Sequence, residues 1–120
     1  MNTNDMKILM LCNKHLWDSR MCRGRFHAMN AIIRHPDVEV IKDGPNFDGW
    51  QDVPTSVNKH TPDIIFWHKP LQMAGYERVS KYIPKVITFN EMWDVEWTTG
   101  EITRTNSNIV ICHHENDIPR

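Results

Sequence analysis

Five short apolar runs, separated by polar or helix-like stretches, constrain the fold of this 120-residue chain more than any other feature. The first and longest run carries apolar side chains on both of its faces, as strands do when helices cover both sides of a sheet. Strands that alternate with crossover segments form right-handed βαβ units and hence a parallel sheet. The runs predict strands at residues 6–12, 38–41, 64–67, 86–89 and 108–112.

The segments between these runs are less regular. From residue 22 to residue 35, apolar side chains recur every three or four positions, which predicts an amphipathic helix that ends before Pro36. A second helix is predicted over residues 71–82, because Pro70 suits a first helical turn. The remaining segments are predicted to be a turn at 43–46, an irregular or weakly helical stretch at 47–60, and a long connection at 92–108.

The chain is long enough to bury a core without disulfides or a structural metal, and no linker or internal repeat divides it. We therefore expect one α/β domain over residues 1–120, with a Rossmann-like parallel sheet of about five strands and helices on both faces. The cysteines are odd in number and widely spaced, which favours buried reduced thiols over a disulfide framework. We expect a cytoplasmic protein without a transmembrane segment, because the first apolar run is too short for a signal peptide or a membrane span.

The formal net charge is −1, so no overall field attracts nucleic acid or an anionic membrane. The chain also lacks the stripe of basic and aromatic residues that is typical of nucleic-acid-binding proteins. We therefore expect no nucleic-acid partner, and any ligand has to be argued from local sites.

Polar and ionisable residues follow the predicted strands, whereas the strands themselves contain few. In open parallel sheets, ligands bind outside the carboxyl ends of the strands. The sequence therefore predicts a site built from segments 13–25, 68–69, 90–94 and 113–115.

The first of these segments carries Lys14, His15, Arg20 and Arg23, close to the start of the predicted helix at 22–35. Cationic side chains around the positive end of a helix form an anion site, and arginine suits phosphate geometry. The alternative is a solvated basic helix face. The glycine-rich patterns G-x-G-x-x-G and G-x-x-x-x-G-K are absent, so no dinucleotide or other cofactor is predicted.

His68 follows the third predicted strand, where a histidine could orient a sugar hydroxyl, act as a base, or simply hydrogen-bond to the backbone. Trp93 could stack on a sugar ring or fill the core, whereas Trp67 is expected in the core. His113 and His114 are adjacent, and neighbours in a strand point to opposite faces, so no metal site is predicted.

Four segments resemble retaining glycosyltransferases of family 4, which have the GT-B fold. Residues 7–12 resemble the first strand of that family, and residues 62–68 (PDIIFWH) are similar to its "PDIIHxH" strand. Residues 86–94 (VITFNEMWD), followed by Thr99 and Gly100, resemble the segment "vxTxHDMWpxTG" and are the most specific match. Residues 107–112 are similar to the strand "aDxiixxS".

The resemblance implies the N-terminal, acceptor-side half of a two-domain enzyme that transfers a sugar from a nucleotide-sugar. Its expected partners are a sugar or sugar-phosphate acceptor, and either a C-terminal donor-binding domain or a self-associated copy. Arg20 and Arg23 would contact the acceptor or its phosphate, and His68, Asn90 and Glu91 would line the cleft. The family's donor-binding half has no counterpart in these residues, so we expect the chain alone to be catalytically silent.

The chain departs from the family at Asn90, where the family has histidine before an acid. Asparagine hydrogen-bonds a sugar but does not shuttle a proton near neutral pH, so no catalytic residue is assigned. One alternative is a non-catalytic binding or assembly module on the same fold. Another is a flavodoxin-like regulatory or nucleotide-binding domain, which needs a phosphate loop or an acidic pocket after the first strand, and residues 13–15 supply neither.

Overall fold

A computed structural model describes residues 6–15, 34–89 and 95–112. Within these residues, five strands form one sheet in which every pair of neighbours is parallel. The strands are β1 (Met6–Leu11), β2 (Val38–Asp43), β3 (Ile64–His68), β4 (Lys85–Phe89) and β5 (Ile109–Cys112). Their order is β2-β1-β3-β4-β5. The predicted α/β fold with a five-stranded parallel sheet is confirmed.

The strand boundaries differ from the predicted ones by one or two residues. β2 continues through Asp43, which the sequence places in a turn, so that the turn begins at Gly44. β3 includes His68 and β4 includes Lys85, and both residues are buried. Polar residues join these strands because hydrogen-bond partners are available to them inside the fold.

Alternate residues of the strands pack on opposite faces of the sheet, as the two-residue period of a strand requires. One face carries a buried cluster of Ile8, Met10, Cys12, Phe66 and Val86. The other face carries a larger cluster around Leu9, Leu11, Ile65, Trp67 and Ile87. Trp67 is completely buried, which confirms its predicted place in the core.

Helix α1 (Val53–His60) occupies the end of the segment predicted to be irregular or weakly helical. Asp52 caps it, since its side chain accepts a hydrogen bond of 2.8 Å from the backbone N–H of Thr55. A capping aspartate followed by proline in the first turn is a helix-start signal, and such a cap contributes about 1 kcal/mol. Val53 and Val57 then bury one side of the helix against the larger cluster.

The helix predicted over residues 71–82 is wrong. Two short 3-10 turns, Pro70–Gln72 and Tyr76–Arg78, take its place. Gly75 separates them with a left-handed φ of 79°. A Cβ at Gly75 would lie 2.6 Å from Pro54 Cδ, so glycine lets this segment approach α1 closely.

The connection predicted over residues 92–108 is also wrong, because it contains helix α2 (Val95–Thr105). The segment is rich in threonine and contains Gly100, which lower helix propensity. Ile102 of α2 packs against the larger cluster, and the Thr105 hydroxyl donates to the carbonyl of Glu101 at 2.6 Å. Burial of this face stabilises a helix that propensity alone does not favour.

The predicted amphipathic helix at 22–35 lies outside the described residues except for its last two positions. In the part of the chain that the structure describes, no helix is long and apolar enough to cross a membrane.

Candidate functional site

The strand order reverses direction at the boundary between β1 and β3. From β1 the chain crosses to β2 on one side, and it then returns to β3 on the other side. In open α/β sheets such a switch point opens a crevice outside the carboxyl ends of the two strands. The candidate site is therefore the carboxyl edge between β1 and β3.

Backbone hydrogen bonds hold the loop after β1 against the loop after β2. The N–H of Cys12 donates to the carbonyl of Asp43 at 3.0 Å, and the N–H of Lys14 donates to the carbonyl of Pro45 at 2.9 Å. Gly44 allows this approach, because a Cβ there would lie 2.2 Å from the carbonyl oxygen of Cys12. The first residues beyond β1 are thus fixed at the sheet edge.

Asn13 is the first polar side chain beyond β1. Its Oδ1 accepts hydrogen bonds of 2.9 Å from the N–H of His15 and of 2.9 Å from Nδ2 of Asn46. These two bonds orient the amide, so its oxygen is satisfied by the protein. Its NH₂ group has no hydrogen-bond partner among the described residues and is available to donate to a ligand.

His68 ends β3 and is only 3% exposed. Its Nδ1 lies 2.9 Å from the carbonyl oxygen of Thr88 and 3.2 Å from the Thr88 hydroxyl. Thr88 is its register partner on β4. One ring nitrogen of His68, Nδ1, is thus hydrogen-bonded to the backbone, as one of the interpretations of this residue requires. This contact holds the ring in place where it lines the site.

Lys69 follows His68 in a left-handed conformation, with φ 53° and ψ 52°. A non-glycine residue in this region costs about 1–2 kcal/mol, and such strain clusters at functional sites. The side chain is exposed at the carboxyl edge of the sheet. The backbone conformation turns the chain sharply from β3 into the first 3-10 turn, which brings Gln72 back to the same edge.

A small pocket of about 70 Å³ lies where these residues meet. Most of the residues that line it carry polar side chains, and Pro45 and Met73 are the apolar ones. The polar residues are Asn13, His68, Lys69 and Gln72. The volume is far below the roughly 300–1,000 Å³ of sites that enclose a whole small molecule. The pocket can therefore take one chemical group of a ligand, such as a phosphate or a hydroxyl, with the rest of the ligand outside.

A buried carboxyl group, that of Glu101 on α2, lies near this edge. Burial raises its pKa above the usual value, and the positive charge of Lys69 acts in the opposite direction. Glu101 is 5% exposed, and its carboxylate has no hydrogen-bond partner among the described residues. It therefore supplies negative potential behind Lys69 when it is ionised.

Three of the predicted site residues lie in the described part of the chain, namely Lys14, His15 and His68. Lys14 and His15 follow β1 and His68 is the last residue of β3, so all three lie at the carboxyl edge of the sheet, as predicted, but only His68 lines the small pocket. Lys14 and His15 are exposed, and Lys14 lines a neighbouring groove. The other predicted residues, Arg20, Arg23, Asn90, Glu91 and Trp93, lie outside the described residues.

Sequence reasoning did not single out Asn13, Gln72 or Glu101. Asn13 and Lys69 lie in segments that the strand-end rule selects, so a signal exists for them. Gln72 and Glu101 lie in segments whose predicted secondary structure is wrong. No group of three or more metal-ligating side chains occurs among the residues that the structure describes.

No family model, curated protein or solved structure matches this chain. The resemblance to family 4 glycosyltransferases therefore rests on four sequence segments alone.

Proposed function

We propose that the chain is the acceptor-side domain of a sugar-transferring enzyme, and that it holds a sugar or sugar-phosphate at the carboxyl edge of β1 and β3. The observation that carries this proposal is the convergence of Asn13, Lys69 and Gln72 on one pocket at the switch point of the sheet.

The chemistry of the pocket favours a ligand rich in oxygen atoms. The Asn13 NH₂ group and the Lys69 ammonium group are donors, and the Gln72 amide both donates and accepts. Phosphate oxygens and sugar hydroxyls accept such bonds, and a charged donor strengthens them. Since the pocket is small, we propose that it holds the phosphate of a sugar-phosphate or one hydroxyl of a plain sugar, with the ring outside.

The resemblance supports the same interpretation. The four segments similar to family 4 proteins overlap β1, β3, β4 and β5, and they follow the same order along the chain. Arg20, Arg23, Asn90, Glu91 and Trp93 follow β1 and β4 in sequence, and they are proposed to extend the site along the carboxyl edge. His68 is proposed as a positioning residue, because it is buried and bonded to Thr88.

The proposed role of this chain in the reaction is to bind and orient the acceptor. A nucleotide-sugar would be supplied by a donor-binding domain, and transfer requires both. We expect the 120-residue chain by itself to bind acceptor without turnover.

Calorimetry with glucose and glucose 6-phosphate tests the proposal through Lys69→Gly. Glycine adopts the left-handed backbone without strain, so this variant removes the ammonium group without disturbing the fold. The expected loss of affinity for glucose 6-phosphate is about 10- to 100-fold, as for a lost hydrogen bond to a charged group.

Thr61→Gly is the matched control, because Thr61 has the same left-handed backbone, with φ 45° and ψ 59°, away from the pocket. It should bind like the unmodified chain. The proposal would be overturned if the unmodified chain bound neither glucose nor glucose 6-phosphate. It would also be overturned if the two variants bound glucose 6-phosphate with equal affinity.

One observation favours the alternative of a binding or assembly module. β5 pairs only with β4 among the described residues, and two of its apolar side chains are exposed, Ile109 at 57% and Val110 at 38%. An exposed apolar edge strand is a template for another chain. Sedimentation velocity distinguishes the two: concentration-dependent dimers that Ile109→Lys abolishes would favour self-association, and a monomer at all concentrations would count against it.

A further inference from the structure

A second and larger cavity lies beside the candidate site. It is a groove of about 290 Å³ between the end of β2, the loop at 47–52 and helix α1. We call it the α1 groove. Asn13 lines the small pocket and Lys14 lines the α1 groove, so the two cavities open on either side of the same loop.

One face of α1 is polar and is turned to this groove. The residues that line it recur every three or four positions from the cap onward; they are Asp52, Thr55, Ser56, Lys59 and His60. The core-facing side of the same helix carries Val53 and Val57. The amphipathic character of α1 therefore presents hydrogen-bonding groups to a cavity and not only to open solvent.

Two of the three carboxylates in the groove are used by the fold itself. Asp43 accepts a hydrogen bond of 2.6 Å from the Ser56 hydroxyl and lies 3.6 Å from His60 Nε2. Asp52 caps α1, and its Oδ2 lies 3.4 Å from the Arg78 guanidinium. These contacts shape the walls of the groove.

Asp48 and Lys59 are different, because neither forms a hydrogen bond or an ion pair with its side chain among the described residues. They have opposite charges and line the same groove without pairing. The lining as a whole is balanced in charge, since it holds three lysines, Lys14, Lys42 and Lys59, and three aspartates, Asp43, Asp48 and Asp52. Such a lining favours a neutral ligand, whose hydroxyl groups can accept from an ammonium and donate to a carboxylate.

The aromatic side chains of Phe47 and Trp50 complete the wall, and both are half-buried. Small-molecule sites combine such apolar surface with a few convergent polar groups, and their volumes begin at about 300 Å³. A sugar ring has an apolar face of C–H groups and a rim of hydroxyls, which matches this combination. We propose that the α1 groove binds one neutral sugar ring, as a second carbohydrate subsite separate from the small pocket.

The test is an NMR titration of the ¹⁵N-labelled chain with methyl α-glucopyranoside, methyl β-galactopyranoside and N-acetylglucosamine. At least one of these neutral sugars should shift the amide signals of Asp48, Gln51 and Thr55. Lys59→Ala should weaken that binding by about tenfold or more. Asn58→Ala is the matched control, because Asn58 is exposed on the same helix outside the groove lining, and it should leave the affinity unchanged.

Asp48→Asn is a second variant in a loop and should weaken the same binding without affecting the helix. Sugar-induced shifts confined to Asn13, Lys69 and Gln72 would overturn the α1 groove subsite and leave the proposed function in place. Shifts in the groove with inorganic phosphate but with none of the neutral sugars would overturn it as well. So would equal weakening by Lys59→Ala and Asn58→Ala.

Discussion

The Nδ1 atom of His68 lies 2.9 Å from the carbonyl oxygen of Thr88, across the register of β3 and β4. A carbonyl oxygen only accepts hydrogen bonds, so Nδ1 carries the proton in this contact. In the neutral ring, Nε2 is then the nitrogen with the lone pair. The hydrogen bond thus fixes both the orientation and the tautomer of a histidine in the wall of the candidate site.

This relationship predicts that neutral His68 is the Nδ1–H tautomer. Long-range ¹H–¹⁵N correlation spectra of the imidazole ring, recorded where the ring is neutral, distinguish the two tautomers. His15 and His35 are exposed and serve as internal references in the same spectrum. A protonated Nε2 with an unprotonated Nδ1 in neutral His68 would contradict the hydrogen bond to Thr88.

Gly44 is predicted to stabilise the close backbone contact between the loop after β1 and the loop after β2. Gly44→Ala would place a Cβ against the Cys12 carbonyl at a φ of 143°, so we expect a loss of about 2–4 kcal/mol in the free energy of unfolding. Gly49→Ala is the control. Gly49 also has a positive φ, 77°, but a Cβ added there would meet nothing within 4 Å, so the expected loss is about 1 kcal/mol. Urea unfolding measures both, and equal losses would refute the steric explanation.

Lys85 is predicted to stabilise the turn before β4 through its buried ammonium group. Nζ donates hydrogen bonds of 2.8 Å to the carbonyl of Ser80 and of 2.8 Å to the carbonyl of Ile83. Lys85→Met keeps the aliphatic stem but leaves both carbonyls without this donor, and we expect a loss of about 1–3 kcal/mol. Lys81→Met, which changes an exposed lysine in the same turn, should cost less than about 1 kcal/mol. A Lys85 variant as stable as the control would show that the buried contact contributes nothing.

The free energy of unfolding is predicted to depend on pH through Glu101, and the burial of its carboxyl group determines whether stability rises or falls with pH. Because burial raises the folded-state pKa of this carboxyl group, the folded chain favours the protonated form. Its contribution to the free energy of unfolding is therefore full below the ordinary value of 4.5 and is lost as the pH rises through the folded-state pKa.

Glu101→Gln removes this ionisation. We expect the variant to be more stable than the unmodified chain at pH 7, with the difference shrinking as the pH falls toward 4.5. Glu77→Gln changes an exposed carboxylate in the second 3-10 turn and should show no such difference. Thermal melts from pH 4 to 8 measure it, and a Glu101 variant that is less stable at pH 7 would contradict the assignment.

The five strands could be predicted because each is a short apolar run with few alternatives. Their ends could not, since the buried residues Lys85 and His68 look like surface or loop residues in the sequence. Both are buried because carbonyl groups in the folded chain lie within hydrogen-bonding distance. Tertiary contacts of this kind leave no local signal.

The helices were predicted poorly for a related reason. α2 has a weak intrinsic helix propensity around Gly100, and it is stabilised by packing at Ile102. Residues 71–82 show the reverse, because a helical pattern is interrupted at Gly75, where the chain packs against Pro54. In both segments the contact across the fold decides the local structure.

The edge of the sheet that carries the candidate site could be predicted, because parallel strands bring their carboxyl ends to one rim. The strand order could not, and it is the order that places Asn13 opposite Lys69 and Gln72. It matches the flavodoxin-like order 2-1-3-4-5 rather than the order 3-2-1-4-5-6 of dinucleotide-binding sheets. Neither an acidic side chain nor a phosphate loop occurs at residues 12–15 or 68–69, so this order alone does not favour a flavodoxin-like function.

The most direct test of the proposed acceptor site is a crystal structure of the chain soaked with glucose 6-phosphate. We predict that its phosphate lies within hydrogen-bonding distance of Lys69 Nζ and the Asn13 amide NH₂, with the sugar ring outside the small pocket. A phosphate bound at the opposite edge of the sheet, beside Pro84 and Asn108, or no bound compound at a saturating concentration, would contradict the proposal.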